Sequence, residues 1–336
     1  MNEYDMIRQI AGAFPRHAAQ LNAVHTCDAE VIRLGDALWA LTLDEFSPEE
    51  DRFTRDDPET LGANLATATL SDLLAAGAEP AWYMHSLSLP YEEDDAFLAG
   101  LTRGISSVLA QAECALCGGD FGRAAQWRYC GFAMGRIAGQ HALTRIIPLA
   151  AHTLWISGPL GDANMAALTG HATPRFELRL DSARLIREAA TACIDTSGGL
   201  CDALWLLHLL NPGLCLQLAI DQVPLAAEVA GTARQLGIPP AASLLGGAGE
   251  YELLFTLPED NATVERALRD AGAVPIGTVQ PDANAEIVIT RQGQEISRMT
   301  QAPLCPRAAA SIDAYIRAVL SMAAMLFPAE SEGILP

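Results

Sequence analysis

A chain of 336 residues, half of them hydrophobic and 18% charged, has room for two ordinary domains and the composition of a globular protein rather than a disordered one. A formal net charge of −20 excludes the clustered Lys and Arg that nucleic-acid phosphates require, and argues equally against an anionic membrane surface. All 21 basic residues are arginine, so the P-loop, the protein-kinase strand lysine and Schiff-base chemistry are excluded, and any nucleotide chemistry must use metal ions, arginine and backbone N–H groups.

Residues 1–20 read as a short amphipathic helix without the basic n-region or long apolar core of a signal peptide. Residues 29–46 read as two β segments joined at Gly35-Asp36, the second ending at Asp44, and an acidic loop follows at 47–60. Leucines at helical spacing predict a helix over 61–80, stopped by Gly77 and Pro80. Then come a strand at 82–90, a helix at 94–112, a strand at 114–120 running into a glycine turn, and a strand at 127–137. The pattern breaks at 140–152. A strand–glycine turn–helix unit follows at 153–168 and recurs at 193–207, CIDTSGGLCDALWLL. A strand at 214–224, a helix at 225–238, a glycine turn and strand at 243–258, and a closing α-then-β pair complete the order. Short elements mixed in this way predict an α+β fold of two domains rather than a doubly wound sheet. The expected units are 1–148, 149–312 and a C-terminal helix and tail at 313–336. The apolar run 318–327 is too short to cross a membrane, and packing on the second domain is its expected role. Eight scattered cysteines include Cys114-Ala-Leu-Cys117, with no second pair at zinc spacing; these read as buried thiols in a reducing cytoplasm.

The acidic residues fall at predicted element ends. Asp28 precedes a strand, Asp44 and Asp195 end strands, Asp120 follows Gly118-Gly119, and Glu250 and Glu252 follow Gly246-Gly247. Carboxylates beside glycine turns suit magnesium, which takes hard oxygen ligands shared with substrate phosphates. Each acid alone reads equally well as a cap or turn former. Asp72 differs, because it sits inside a helix with no cap to fill. The turn Ser197-Gly198-Gly199, flanked by Asp195 and Asp202, is either a phosphate-side cradle or a capped tight turn.

Six stretches, TLSDLLAAGAEPAW, LCGGDFGR, HALTR, ISGPLGDA, CIDTSGGL and LLGGAGEYELLF, occur in the order and spacing of thiamine-monophosphate kinase. Over about residues 20–290 the chain resembles that family, which belongs with aminoimidazole ribonucleotide synthetase, selenophosphate synthetase and a hydrogenase maturation factor. The resemblance implies an N-terminal ATP-binding sheet domain that forms a dimeric barrel-like core, a C-terminal α+β domain, and ATP in the cleft between them. It implies Mg²⁺ on Asp28, Asp44, Asp72, Asp120 and Asp195, and catalytic roles for Asp195, Ser197 and Arg123. It places ATP against Gly118, Gly119, Asp120, Gly198, Gly199, Gly246, Gly247 and Glu250. The implied partners are a small-molecule phosphate acceptor and a second copy of the chain, with no nucleic acid and no membrane.

Departures from the family pattern cluster at the same places. Its Gly-Asp-Asp is Thr26-Cys27-Asp28, its Thr-Asp-Thr is Leu43-Asp44-Glu45, and the Asp of its Ser-Asp-Gly-Leu is Gly198. GGAGEYEL is one residue longer than the family's form, with Glu45 and Glu250 as the available replacement acids. Three expectations therefore stand: a thiamine-monophosphate kinase, an ATP-dependent enzyme with another acceptor, and a nucleotide-binding homologue that has lost turnover.

Overall fold

A helix that is apolar on every side must be buried on every side, and the helix Pro58–Ala75 is the centre of this protein. A computed structural model describes residues 3–48, 55–92, 95–139, 141–259, 262–304 and 309–328. Residues 49–54 of the acidic loop, Cys305 and the tail from 329 onward lie outside the described residues.

The first half runs α1 (Glu3–Gly12), β1 (Glu30–Leu34), β2 (Ala37–Phe46), α2 (Pro58–Ala75), β3 (Ala78–Leu89), α3 (Asp95–Gln111), β4 (Ala115–Arg123) and β5 (Arg128–Ile137). Its strands form one sheet in the order β1-β2-β5-β3-β4, antiparallel except for the β3–β4 pair. Asp57 caps α2 by accepting the Glu59 and Thr60 N–H groups, and Pro58 fills the first helical position, where its missing donor costs nothing. One face of the sheet packs on α2, and α3 lies against α2 in turn. That second contact is close: a Cβ on Gly62 would stand 2.1 Å from Leu101 O, and one on Gly104 2.0 Å from Glu59 O. The opposite face of the sheet is open and apolar, with Leu43, Trp82 and Met84 exposed on it.

The second half contains β6 (His152–Ile156), α4 (Asp162–Thr169), α5 (Leu180–Ala189), β7 (Ala192–Asp195), α6 (Leu200–Leu210), β8 (Leu214–Ala219) and α7 (Val229–Leu236). β9 (Leu253–Pro258), α8 (Ala262–Asp270), β10 (Val274–Pro281), β11 (Ile287–Arg291), β12 (Gln294–Met299) and α9 (Ile312–Leu326) follow. The strands form a second sheet in the order β12-β11-β8-β10-β6-β9-β7. α2 reaches this half too, touching β7, β9 and α5, so a single helix joins the two layers. The C-terminal helix α9 buries Val319, Met322, Ala323 and Leu326 in the core of the second half. No helix among the described residues is long and apolar enough to cross a membrane.

The α+β class and the two-sheet arrangement agree with the sequence. Three local expectations need correction. The segment at 114–120 is not a strand ending in a glycine turn: β4 runs straight through Gly118-Gly119 to Arg123 as an exposed edge strand. Gly119 serves close approach there, since a Cβ would lie 2.4 Å from His85 O on the neighbouring strand. Cys114 is buried as expected, but Cys117 is exposed, because it is the extra residue of a bulge between the Tyr83–Leu116 and Met84–Gly118 pairs. Helix α7 starts four residues late, after a turn that ends at 228, and α5, β11 and β12 are elements that the sequence reading did not assign.

Candidate active site

A cavity of about 1200 Å³ opens where α2, the connection between the two halves and α6 meet. Its wall includes Asp28, Asp44, Asp72, Asp195 and Ser197, and also the apolar side chains of Trp205, Leu209 and Ile316. One carboxylate oxygen from each of Asp28, Asp72 and Asp195 stands within 4.8 Å of the other two.

Each acid is held by a different element. Asp72 projects from α2 and accepts the Thr42 hydroxyl of β2, so Asp44, two residues further along β2, points to the same face. Asp195 ends β7 and accepts from the hydroxyl of Ser71, the neighbour of Asp72 on α2. It also accepts the Ser197 N–H at 3.2 Å and the Ser197 hydroxyl at 2.7 Å, which closes the turn. Asp28 is gripped by Arg145 through Nη2–Oδ1 at 2.8 Å and Nε–Oδ2 at 3.2 Å.

Three ionised carboxylates so close repel by roughly 3 kcal/mol per pair at an effective dielectric near 20. Their protonation reflects it. Burial first, then Asp44, Asp195 and Asp28, push Asp72 well above the usual carboxylate range. Burial and Asp28 raise Asp195 as well, against the hydrogen bonds from Ser71 and Ser197. Such a cluster demands positive charge. The donors are hard oxygens, and the neighbouring thiol does not compete: burial pushes Cys27 up to about 12, and its Sγ–H donates to Leu143 O at 3.2 Å. This chemistry fits Mg²⁺ and does not fit a soft metal.

Two glycine turns meet at the cavity wall. Gly199 has φ +89°, and a Cβ on it would lie 2.1 Å from Gly246 O, so the turn that starts α6 packs directly on the 246–249 loop. That loop is pinned from both sides: Asn164 Oδ1 accepts the Ala248 N–H at 2.9 Å, and the Tyr315 hydroxyl of α9 accepts the Gly247 N–H at 2.8 Å. From the turn, α6 presents Asp202, Trp205, Leu206 and Leu209 to the cavity at helical spacing, so the wall becomes apolar away from the acids.

Not every expected site residue joins this group. Glu250 is half-buried and does not line the cavity; its Oε1 accepts the Asn164 N–H at 3.3 Å and Nδ2 at 3.2 Å at the start of α4. Asp120 shares a row with Ser86, Cys130 and Glu45, one residue out of step with the Asp44–Gly131–His85–Gly119 row, and so faces away from α2. Arg123 stacks on Tyr91 and Phe121 at the exposed β4 edge and donates to Pro90 O at 2.8 Å. Gly118 and Gly119 lie on the same edge.

Comparison with known proteins meets this geometry. Residues 26–137 match the family model for the AIR synthase related protein, N-terminal domain. The chain is 27% identical over 272 residues to the thiamine-monophosphate kinase of Pyrococcus horikoshii, covering 78% of this chain and 84% of that protein. The fold matches the thiamine-monophosphate kinase of Aquifex aeolicus with a TM-score of 0.67 at 21% identity, over 87% of this chain and 96% of the other. It also matches a hydrogenase maturation protein of Escherichia coli with a TM-score of 0.66 at 18% identity, over 90% of this chain and 99% of that one. Residues 26–137 thus carry a domain of the AIR synthase related type, and the chain is similar in fold to thiamine-monophosphate kinase.

Sequence reasoning missed four residues that shape the site: Thr42, Ser71, Arg145 and Asn164. Ser71 and Arg145 stood inside recognised stretches, TLSD and HALTR, while Thr42 and Asn164 carry no local signal of their contacts.

Proposed function

We propose that the cleft binds ATP with Mg²⁺ and transfers the γ-phosphoryl group to a phosphorylated small molecule, thiamine monophosphate, giving thiamine diphosphate and ADP. The observation that carries this reading is the convergence of Asp28, Asp72 and Asp195 within 4.8 Å in the wall of a cavity large enough for a nucleotide and an acceptor together. Likeness to thiamine-monophosphate kinases supports it, as does a solved relative of the same fold, TM-score 0.70 at 21% identity, described as complexed with AMPPCP and TMP.

Asp72, Asp195 and Asp44 would hold Mg²⁺, which neutralises phosphate charge as it develops. Ser71 and Thr42 orient two of those carboxylates by hydrogen bonds, so the acids are placed before substrate arrives. Ser197, which lines the cavity beside Asp195, would face the acceptor phosphate. An acceptor phosphate oxygen attacks the γ-phosphorus, the bond to the ADP oxygen breaks, and no bond to the enzyme forms. The apolar wall of Trp205, Leu209 and Ile316 would take the organic part of a ligand and keep water from it.

A homodimer and a cytoplasmic setting belong to the same reading. The open apolar face of the first sheet supports pairing with a second copy. Asp120 faces away from this chain's acids and Arg123 is held at the β4 edge by Tyr91, Phe121 and Pro90 O, so a role for them in transfer would run through that second copy's cleft. A different acceptor is the second reading, favoured by the neutral Cys27 and by Gly198 at the acceptor side of the turn.

The test is ADP release from MgATP with and without thiamine monophosphate, with thiamine diphosphate followed by chromatography. Turnover of about 1 per second or faster supports the kinase. MgATP binding without thiamine diphosphate moves the reading to another acceptor, and no MgATP binding refutes both.

A further inference from the structure

The segment that joins the two halves is stapled from every side. Leu143 N–H donates to Ala76 O at 3.0 Å, Arg145 N–H to Thr26 O at 2.8 Å, and Cys193 N–H to Thr144 O at 2.9 Å. Asn211, at the end of α6, donates to Arg145 O at 2.8 Å and accepts the Ile147 N–H at 2.7 Å. From this fixed backbone the Arg145 side chain reaches across to the loop before β1. It takes both oxygens of Asp28 and also donates Nη1–H to His25 O at 3.2 Å. The pair is deeply buried, with the Arg145 side chain 14% and the Asp28 side chain 1% exposed. His25 has φ +67°, a conformation that residues with a Cβ adopt rarely, so the loop needs an external hold. A guanidinium keeps its charge at any working pH and grips a carboxylate with two parallel N–H bonds.

We infer that Arg145 is the resident cation of the acid cluster, a positioning residue that fixes Asp28 at the cavity wall before any divalent ion arrives and lowers by one the positive charge the cluster must recruit. The inference rests on the reading that the cleft takes Mg²⁺. It also divides the acids by task. Asp28, with both oxygens engaged, is a fixed wall of negative charge, while Asp44, Asp72 and Asp195 remain for the ion. Removing Arg145 should therefore leave the apo-protein short of one positive charge, which Mg²⁺ can supply in part. A merely structural staple lacks that signature, since an ion does not restore lost packing.

Thermal unfolding of the full chain in EDTA and in millimolar MgCl₂, without nucleotide or acceptor, reads the difference. R145Q should unfold about 5 °C below wild type in EDTA, the loss expected when one partner of a buried pair is removed. Mg²⁺ should return at least half of that loss, a larger gain than it gives wild type. D28N/R145Q, which removes both charges together, should lose less in EDTA and gain no more from Mg²⁺ than wild type does. Equal losses for R145Q in EDTA and in Mg²⁺ would overturn the resident-cation role. Should R145Q fail to fold, D28N/R145Q decides: a folded protein supports the role, and an unfolded one overturns it. Mn²⁺ titration separates this from the metal reading itself. Equal Mn²⁺ affinity in wild type and D72N refutes metal binding by the cluster, whatever R145Q does.

Discussion

The Oδ2 of Asp202 occupies the space into which a side chain at position 198 would grow: a Cβ on Gly198 would lie 2.4 Å from that oxygen and 3.1 Å from Asp202 Cβ. The carboxylate absent from the turn is thus replaced, in the same volume, by one from the first turn of α6. Both residues line the cavity.

G198D should therefore fail as a repair. The new side chain collides with Asp202, and the strain should lower stability by about 1–3 kcal/mol. G198D/D202A, which moves the acid back to the turn, should unfold within a few degrees of wild type and keep more MgATP affinity than G198D. A stable, fully active G198D would show that Asp202 does not hold that space.

Glu250 gives a pH signature. Burial pushes its carboxyl up to about 8, against the hydrogen bonds from the start of α4. The folded chain then keeps a proton that the unfolded chain releases above pH 4.5, so stability is full below that value and falls as pH rises through about 8. E250Q keeps the acceptor oxygen for Asn164 and never ionises. Its melting temperature should hold level over the interval in which wild type declines, and parallel curves for the two would refute the assignment.

Asp72 predicts the pH dependence of ion binding. Its carboxyl is raised well above the ordinary range, so an arriving cation must displace a proton. Mg²⁺ affinity should rise with pH, and calorimetry in buffers of different ionisation heat should detect proton release on binding. D72N should abolish the release. Binding without proton release would place the ion elsewhere.

Tyr315 tests whether the C-terminal helix belongs to the site. Its hydroxyl is the acceptor for the Gly247 N–H, and Y315F removes only that oxygen. Stability should fall by about 1 kcal/mol, and KM for MgATP or acceptor should rise several-fold with a smaller change in kcat. Unchanged KM would make α9 a packing element alone.

What the sequence made legible depended on local signals. Asp72 stood out because a helix interior offers a carboxylate no capping role, and it does face the cavity beside Asp195. The turns at Gly198-Gly199 and Gly246-Gly247 were recognisable as turns, and Gly199 meets Gly246 because only glycine fits there. The Arg145–Asp28 pair was not legible, since it spans 117 residues and Arg145 lies where the periodic pattern breaks. Asp120 was misplaced for a register reason. The bulge at Cys117 adds one residue to β4, and a one-residue slip turns every later side chain to the other face. Glu250 reads as a free acid in sequence, yet the start of α4 captures it.

The most direct test of the central claim is equilibrium binding of AMPPCP to wild type and D72N, each with Mg²⁺ and with EDTA. The acid cluster predicts tight binding only for wild type with Mg²⁺, weakened at least about 100-fold by D72N while the melting temperature stays near that of wild type. Equal affinity in all four conditions would contradict a metal–phosphate site at Asp44, Asp72 and Asp195.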